Sequence, residues 1–509
     1  MATFLGIFIA ILCSVTLLLL FKFLHKFWWI QMNIKRVLSP QGIHGPPYSF
    51  IHGNTKEISN MRKKSMSFPM DTSHYIFPRV QPHIDSWFRI YGKNFVYWHG
   101  PEAMLVVTEP VILKEIMSNR EISMGKQDMG PIMKKIVGEG LISSEGDKWA
   151  KQRKIANHAF HAERLKNMVP AMVQSVDMML TRWKEAGNEE MDVYEEFRIL
   201  TSEVISRTAF GSSYEEGKQV FQKLGELTMI ASKNSYRIRL PGFGKIFKDK
   251  DDVESDKLQA GIRDLIMQMI SSREKTMDED DSRNDYLGLL LKSHHDIHEN
   301  FKLSTQDIID DCKTFYAAGH GTVSLLLSWA TLLLAIHTEW QEKAREEVRQ
   351  VFGNENPTSE GIARLKTMGM IINETLRLYP PGIAITRRVG REMKVGNLNL
   401  PANINLQIPA LALHHDPKIW GQEAHLFKPD RFSDGIVKAT NDNPEAFLPF
   451  GYGPRNCVGS SFGINEAKTA LSKILQRYRF CRSPNYVHAP LHRITLRPNS
   501  GVQIIFRAL

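Results

Sequence analysis

The stretch FLPFGYGPRNCVGSSFGINEAK, residues 447–468, places Cys457 in a glycine-rich loop directly before an amphipathic helical pattern. A thiol at the start of a helix and close to Arg455 is expected to have a lowered pKa, because the helix dipole and the guanidinium stabilise the thiolate. A thiolate is the form of cysteine that binds iron. Taken alone, however, a single cysteine beside glycines is more often an inert buried thiol.

The spacing around this cysteine decides between the two interpretations. Phe450, Gly453, Arg455, Cys457 and Gly459 fit the pattern F-x-x-G-x-R-x-C-x-G in full, and the loop resembles the haem-binding loop of the cytochromes P-450. The resemblance implies that Cys457 is the axial thiolate ligand of haem b, that Phe450 packs by the sulfur and that Arg455 binds a propionate. Glycines at the other two positions would let the backbone approach a flat cofactor closely.

Three further arginines and a tryptophan match the same family. Trp149 and Arg153 stand four residues apart in GDKWAKQRK, match W-x-x-x-R and are implied to contact the haem propionates. The stretch TRRVG offers Arg387 and Arg388 for another propionate contact, and the resemblance favours Arg388.

A separate group of charged residues is implied to be architectural. Glu374 and Arg377 lie three residues apart in E-T-L-R, and Arg431 lies in FKPDRF. By spacing alone the first two could be an ordinary surface pair of small energetic value. The resemblance implies instead a buried ion network that braces the cysteine side of the haem.

The stretch AAGHGTV, residues 317–323, lies in a long apolar helical pattern. Ala318, Gly319 and Thr322 match the family pattern for an oxygen-binding groove above the iron, where the threonine hydroxyl helps to route protons. The alternative for Thr322 is a hydrogen bond to a carbonyl one turn earlier in the helix. Both roles are compatible.

Gly321 departs from the family pattern, which usually has an acid at this position. Without that carboxylate, the remaining routes for protons are Thr322, His320 and ordered water, since acid catalysis can act through one water molecule. Normal monooxygenation by another route is the preferred interpretation. The alternatives are an isomerase or dehydratase of the same family that rearranges a peroxide without a reductase, and a haem-binding protein without catalytic activity.

The amino terminus carries the signal of a membrane anchor. The 20 residues from Ala2 to Phe21 contain no charged side chain, and about 20 apolar residues are needed to cross a bilayer as a helix. Lys22, Lys26 and two tryptophans at 28 and 29 follow, which fits an interfacial belt with the body on the cytosolic side. A cleaved signal peptide would have its cations before the apolar run. We therefore expect a single uncleaved anchor.

The remainder of the chain predicts one large domain, mainly α-helical with small β-sheets, in the cytochrome P-450 fold. The expected divisions are an anchor at 1–22, a basic and aromatic interface segment with a Pro/Gly hinge at 23–55, and a haem-thiolate catalytic domain at 56–509. The basic segment from Ser235 to Phe247 is either a membrane-facing access region or a plain loop between helices.

Local patterns give more specific structural expectations. Ser304 and Asp307 have the spacing of a capping box at a helix start, and Thr338 and Gln341 repeat it. The adjacent histidines of LALHHDP, at 414 and 415, are expected on opposite faces of a strand in structural roles.

Composition limits the partners. The net charge of +10 suits an acidic partner or an anionic membrane, and no nucleic-acid motif accompanies it. The four cysteines show no CxxC spacing, which argues against a zinc site and a disulfide scaffold. The family resemblance, closest to plant microsomal enzymes of the clan that includes secologanin synthase, implies O2, an apolar substrate and electrons from a separate NADPH–cytochrome reductase. It also implies residence in the endoplasmic reticulum membrane.

Overall fold

The computed structural model describes residues 2–68, 70–119, 121–122, 125–187, 189–238, 248–275, 285–296 and 302–509. Helices dominate it, as the sequence predicts. We number the α-helices in chain order: α1 (Ala2–Leu24), α2 (Ile30–Leu38), α3 (Thr55–Met66), α4 (Phe77–Val80), α5 (Pro82–Tyr91), α6 (Pro110–Ser118), α7 (Gly130–Val137), α8 (Gly146–Ala159), α9 (Ala162–Ala186), α10 (Val193–Phe210), α11 (Tyr214–Lys233), α12 (Lys250–Lys275), α13 (Tyr286–His294), α14 (Thr305–Ile336), α15 (Thr338–Phe352), α16 (Ser359–Arg364), α17 (Lys366–Leu378), α18 (Ala410–His414), α19 (Pro417–Trp420), α20 (Gly435–Ala439) and α21 (Ser460–Arg477).

The strands form small sheets at the edges of the helical body. They are β1 (Phe95–His99), β2 (Glu102–Val106), β3 (Glu190–Asp192), β4 (Ile385–Arg388), β5 (Met393–Val395), β6 (Leu398–Leu400), β7 (Asn405–Ile408), β8 (Tyr478–Arg482), β9 (Pro490–Arg493), β10 (Thr495–Pro498) and β11 (Gln503–Ala508). The largest sheet has the order β1-β2-β7-β4, in which β2 and β7 are parallel and the other pairs antiparallel.

Helix α14 lies at the centre of the fold. It begins with the predicted capping box, in which the Ser304 hydroxyl accepts from the Asp307 N–H and the Asp307 carboxylate accepts from the Ser304 N–H. It is long and apolar enough to cross a membrane, but 72% of its most apolar window is buried inside the protein. It packs against α10, α17 and α21, so it is the core helix that carries the candidate site.

The amino-terminal helix is a candidate membrane anchor, and none of its most apolar window is buried in the protein. The segment that follows it contacts the body of the protein. The Gln31 side-chain amide donates to the carbonyl oxygen of Pro101, its oxygen accepts from the Trp98 indole, and Gly45 lies so close to Val96 that a Cβ could not be accommodated. Residues 30–45 are thus held against the β1–β2 hairpin.

Two local predictions were wrong. Helix α15 does begin at Thr338, but its N-cap is His337 and no side chain caps it. Gln341 instead donates to the carbonyl oxygens of Leu334 and Phe480, because the helix start is buried against β8. His414 and His415 lie at the end of the short helix α18 and not on a strand.

Candidate functional site

A cavity with an empty volume of about 840 Å³ lies between α14, α8 and the loop that carries Cys457. Eight of the predicted site residues line it, which are Trp149, Arg153, Ala318, Gly319, Thr322, Arg455, Cys457 and Gly459. Phe160, Phe315, Val323 and Phe462 supply much of the remaining wall. The sequence motifs, which are up to 310 positions apart, therefore converge on one mainly apolar chamber.

Backbone geometry fixes the position of Cys457. Its N–H donates to the carbonyl oxygen of Phe450 at 2.8 Å, and residues 453–455 form a 3-10 turn between the two. Gly453 has φ of +75°, and a Cβ there would lie 2.3 Å from the carbonyl oxygen of Met117. Only glycine fits at this point, so the motif glycine holds the loop against α6.

The electrostatic surroundings of the thiol differ from the expectation. Burial raises the pKa of the Cys457 thiol in the protein alone, whereas the Gly459 N–H and the Arg153 guanidinium oppose that shift. The nearest cationic influence is therefore Arg153 and not Arg455. The lowered pKa expected from sequence is not found for the protein alone, because the position of the thiol deep in the protein outweighs these two groups, although Cys457 is exposed to the cavity.

Arg153 and Arg455 approach the cavity from two elements. Arg153 donates to the carbonyl oxygen of Asn456 at 2.6 Å and to its side-chain oxygen at 2.7 Å, so helix α8 is bonded directly to the cysteine loop. The Arg455 guanidinium donates to the Ser144 carbonyl oxygen at 2.8 Å and lies 4.7 Å from the centre of the Trp149 ring. That stacking is a cation–π contact and fixes the indole beside the cavity.

The two arginines of β4 have different environments. Arg387 is buried, its Nε has no hydrogen-bond partner, and burial lowers its pKa to about 10. Arg388 is exposed and donates to the Asn403 side chain at 3.1 Å. Neighbouring strand residues point to opposite faces, and the charge of Arg387 acts on Arg455 and Lys126, which line the cavity. Neither Arg387 nor Arg388 lines the cavity itself.

Lys126 lines the same cavity and was not predicted from the sequence. Burial, followed by the charges of Arg387 and Arg455, lowers the pKa of Lys126 to about 7. There is therefore a cluster of four cations, in which Lys126, Arg153 and Arg455 line the chamber and Arg387 lies near Lys126 and Arg455. Such a cluster fits a doubly anionic group.

The helix α14 wall combines small residues with one hydroxyl. Thr322 donates to the Ala318 carbonyl oxygen at 2.8 Å, which is the back-bonded arrangement considered above. Gly319 also has a packing role, since a Cβ there would lie 2.8 Å from the Ile205 side chain of α10. The Thr201 hydroxyl of α10 donates to the carbonyl oxygen of His320 at 2.9 Å. These contacts bring α10 close to the groove region.

Neither His320 nor Gly321 lines the chamber. The His320 ring contacts Phe221, its Nδ1 lies 2.5 Å from the Tyr316 carbonyl oxygen, and burial lowers its pKa to about 4. It does not line the cavity, so it is poorly placed to deliver protons there. A Cβ at Gly321 would meet no atom within 4 Å, and a side chain would fit there.

The charged group around Glu374 is a buried network. Arg377 donates to both Glu374 carboxylate oxygens, at 2.7 and 2.8 Å, and both side chains are fully buried. Arg431 donates to the same carboxylate at 3.1 Å. Arg377 also donates to the carbonyl oxygens of His414 and Ala424. A surface pair is thereby excluded, and the network has the hydrogen bonds that a buried ion pair needs.

His414 connects this network to the cysteine loop. Its Nε2 accepts from the N–H of Leu448 at 2.9 Å, and its Nδ1 lies 3.2 Å from the Arg377 carbonyl oxygen. The sequence did not reveal this link, because it depends on how α17 and the loop pack. No group of three metal-binding side chains occurs among the described residues.

The residues present fit a haem group. The cavity is lined by a thiol, by small residues of an apolar helix and by three cations, and the nearby Arg387 has a buried Nε without a partner. A flat apolar ring system with two carboxylates would match each of these features. The fold and the site therefore define a class of proteins that are mainly helical and bind a cofactor in a chamber lined by a cysteine.

Comparisons with known proteins agree with this class. Residues 78–506 match the family model described as Cytochrome P450. The chain is 53% identical to "Cytochrome P450 CYP749A22" of Panax ginseng over 98% of this chain and 96% of that one. It is 40% identical to "Cytochrome P450 734A1" of Arabidopsis thaliana (98% and 97%) and 38% identical to "Echinocystic acid 23-monooxygenase" of Saponaria officinalis (98% and 98%).

The chain belongs to the cytochrome P450 family. It is a monooxygenase with relatives in plants, and the family implies a haem iron with a thiolate ligand, O2 and a small-molecule substrate.

Proposed function

We propose that this monooxygenase is a single-pass protein of the endoplasmic reticulum membrane with its catalytic domain in the cytosol. In this proposal it takes electrons from NADPH through a separate reductase and hydroxylates an apolar small molecule. Helix α1 supports the anchor, because its apolar residues are exposed along its length and the exposed Trp28 and Trp29 follow it. Aromatic residues and lysines at such a position are typical of the membrane interface.

One observation carries the proposal: Cys457 and Thr322 line the same apolar chamber, and cations surround one edge of it. In this arrangement Cys457 would bind the iron. Arg153, Arg387, Arg455, Lys126 and Trp149 would hold the two propionates. When bound, haem supplies the electron-transfer and oxygen chemistry that side chains cannot perform.

The protein's own contribution is proton delivery and exclusion of water. The Thr322 hydroxyl uses its proton to bond the Ala318 carbonyl oxygen, which leaves its oxygen lone pairs available to accept from a water molecule. A water held there would deliver protons at the Thr322 Oγ1 atom, since neither His320 nor Gly321 supplies a side chain for this purpose. Phe160 and Phe315, whose rings stack at 5.5 Å, keep the neighbouring wall dry.

A reductase partner is supported by the positive charge beside the cysteine loop. Helix α8, which is bonded to that loop through Arg153, also carries Lys151 and Lys154. An acidic surface would be attracted to this helix, and the overall charge of +10 acts in the same direction.

The substrate class follows from the chamber wall and from the relatives. The wall is mainly apolar, and one relative with 38% identity is named for oxidation of echinocystic acid. We therefore propose an apolar specialised metabolite of terpenoid type as the substrate.

The test is reconstitution of the purified full-length protein with a plant NADPH–cytochrome reductase in lipid. Terpenoid ligands that shift the haem spectrum are incubated with NADPH and labelled oxygen. The proposal expects one labelled oxygen atom in the product and no product when NADPH or reductase is omitted. Product formed from a hydroperoxide alone, or no turnover of any ligand that shifts the spectrum, would contradict it.

A further inference from the structure

A second cavity lies beside the thiol chamber, with an empty volume of about 910 Å³, part of which is open to solvent. Residues 382–386 form one wall of it through Gly382, Ile383, Ala384 and Thr386. The residue between the last two, Ile385, points the other way, and its side chain lies 3.9 Å from the position of a Cβ at Gly451 in the cysteine loop. A single segment of chain therefore separates this second cavity from the haem loop.

The second cavity differs from the first in its polar wall. Tyr97 donates to the Gln407 side-chain oxygen at 2.7 Å, and both side chains are buried. Nδ1 of His83 and Oε1 of Gln81 have no hydrogen-bond partner, although the two residues are only 7% and 3% exposed. A buried polar group without a partner is destabilising. This wall therefore contains hydrogen-bonding groups that the protein itself leaves without partners.

Its charge is positive and comes from Arg62. Among the described residues that line the cavity none is aspartate or glutamate. Burial lowers the pKa of His83 to about 3 and that of His492 to about 4, so both rings are neutral. Arg62 donates to the Tyr236 hydroxyl and, at 2.5 Å, to the His492 carbonyl oxygen, which uses two of its five N–H groups.

The second cavity borders another cavity that lies next to α3. Arg62 belongs to α3, which begins directly after that segment, and Tyr236 lies on the border with a neighbouring surface cavity lined by Lys56 and Lys63. Arg62, which is bonded to Tyr236, therefore lies near the border of the two cavities.

We propose that Arg62 and the polar wall of this second cavity bind a carboxylate of the substrate, while its apolar skeleton extends past Ala384 toward the thiol chamber. The proposal rests on the monooxygenase function proposed above and names a subsite for it. A guanidinium that keeps unused N–H groups in a site without acids recognises a carboxylate with charge-assisted hydrogen bonds. The expected substrates are apolar acids, and their neutral esters should bind less well.

The experiment compares echinocystic acid with its methyl ester in the full-length holoenzyme. Binding is measured by the haem spectral shift and, independently, by calorimetry. The wild-type protein should bind the acid at least about tenfold more tightly, a difference typical of a charge-assisted hydrogen bond. Arg62→Gln should abolish this preference by weakening acid binding alone. Lys64→Gln, an exposed position of the same helix, is the matched control and should keep the preference.

Each other outcome would overturn the proposal. Equal affinity for acid and ester in the wild type, equal weakening of both by Arg62→Gln, or binding of neither compound would exclude carboxylate recognition at Arg62. The long-wavelength band of the reduced carbon monoxide complex, recorded for every variant, separates this result from failure of the haem site. If the band is absent from the wild type, the proposed function has failed rather than the subsite.

Discussion

The Nε2 atom of His414 accepts a hydrogen bond from the backbone N–H of Leu448 at 2.9 Å. Its Nδ1 faces the carbonyl oxygen of Arg377 at 3.2 Å, and burial lowers its pKa to about 3, so the ring is neutral with Nδ1 as the donor. One imidazole thus bridges the buried ion network to the loop that ends in Cys457.

Replacement of His414 by Phe should disturb the cysteine loop more than the rest of the fold. The change leaves the Leu448 N–H buried without an acceptor, which costs about 1–3 kcal/mol. We expect a lower free energy of unfolding in denaturant and a reduced share of the long-wavelength carbon monoxide band.

His415→Phe is the matched control for this prediction. His415 is equally buried, but its Nε2 lies near the Leu378 carbonyl oxygen and it makes no hydrogen bond to the cysteine loop. The His415→Phe variant should have a lower free energy of unfolding but should keep the long-wavelength carbon monoxide band. An unchanged band in His414→Phe would show that the bridge does not position the loop.

The two glycines of AAGHGTV should respond oppositely to alanine. A Cβ at Gly319 would lie 2.8 Å from Ile205, so Gly319→Ala should destabilise the protein by about 1–3 kcal/mol through overpacking. A Cβ at Gly321 meets no atom within 4 Å, so Gly321→Ala should stabilise it by up to about 1 kcal/mol through helix propensity. Denaturant unfolding of the two variants side by side tests this. Equal effects of the two changes on the free energy of unfolding would contradict the close approach of α10 to Gly319.

Removal of the Thr322 hydroxyl should uncouple NADPH use from product. Thr322→Ala removes the side-chain oxygen that we propose as the point of proton delivery, whereas Thr322→Ser keeps it. With a ligand that shifts the haem spectrum, we expect severalfold less product per NADPH in the alanine variant and near wild-type values in the serine variant. Ser328→Ala, another back-bonded position of α14, should have no such effect. Equal coupling in all four proteins would assign proton delivery elsewhere.

Asp311 on α14 predicts a pH dependence of stability. Burial raises the pKa of this carboxyl group to about 7, while that of an unfolded aspartate is about 3.9. Between these values the folded protein binds more protons than the unfolded chain, so the free energy of unfolding should fall as pH rises from about 4 to 7. Asp311→Asn should flatten that dependence by at least about 1 kcal/mol, because the amide does not ionise.

Its control is Asp307→Asn, four residues earlier on the same helix, where the carboxylate pairs with Lys148 at 2.7 Å. That variant should keep the decline of stability across the window. A decline that persists unchanged in Asp311→Asn would mean that another group is responsible.

The sequence could predict those parts of the site that lie within a single contiguous motif. The cysteine loop, the E-T-L-R pair and the α14 start depend on residues within one turn or loop, where local spacing determines geometry. Thr338 and Gln341 show the limit of prediction from local spacing. They have the spacing of a capping box but do not form one, because Gln341 donates to buried carbonyl oxygens instead.

Contacts between distant elements were not predictable. The choice between Arg387 and Arg388 depends on the register in which β4 pairs with β7, where Arg387 lies opposite Leu406. Lys126 belongs to the cation cluster because of how its loop packs, and that loop carries no motif. The second cavity, which contains Arg62, likewise brings together residues from α3, β1 and β9, and their spacing in the chain does not indicate that they meet.

Residues 239–247 of the basic segment from Ser235 to Phe247 lie outside the described part of the chain, so both interpretations of that segment, a membrane-facing access region and a plain loop, stay open predictions.

The most direct test of the account is the carbon monoxide difference spectrum of Cys457→Ser. The hydroxyl replaces the sulfur with little change in volume, so the protein should fold and express, but it should lose the long-wavelength band that the wild type shows. Arg388→Ala, at an exposed side chain outside the cavity, should keep the band. Retention of the band in Cys457→Ser would contradict the assignment of this thiol as the iron ligand.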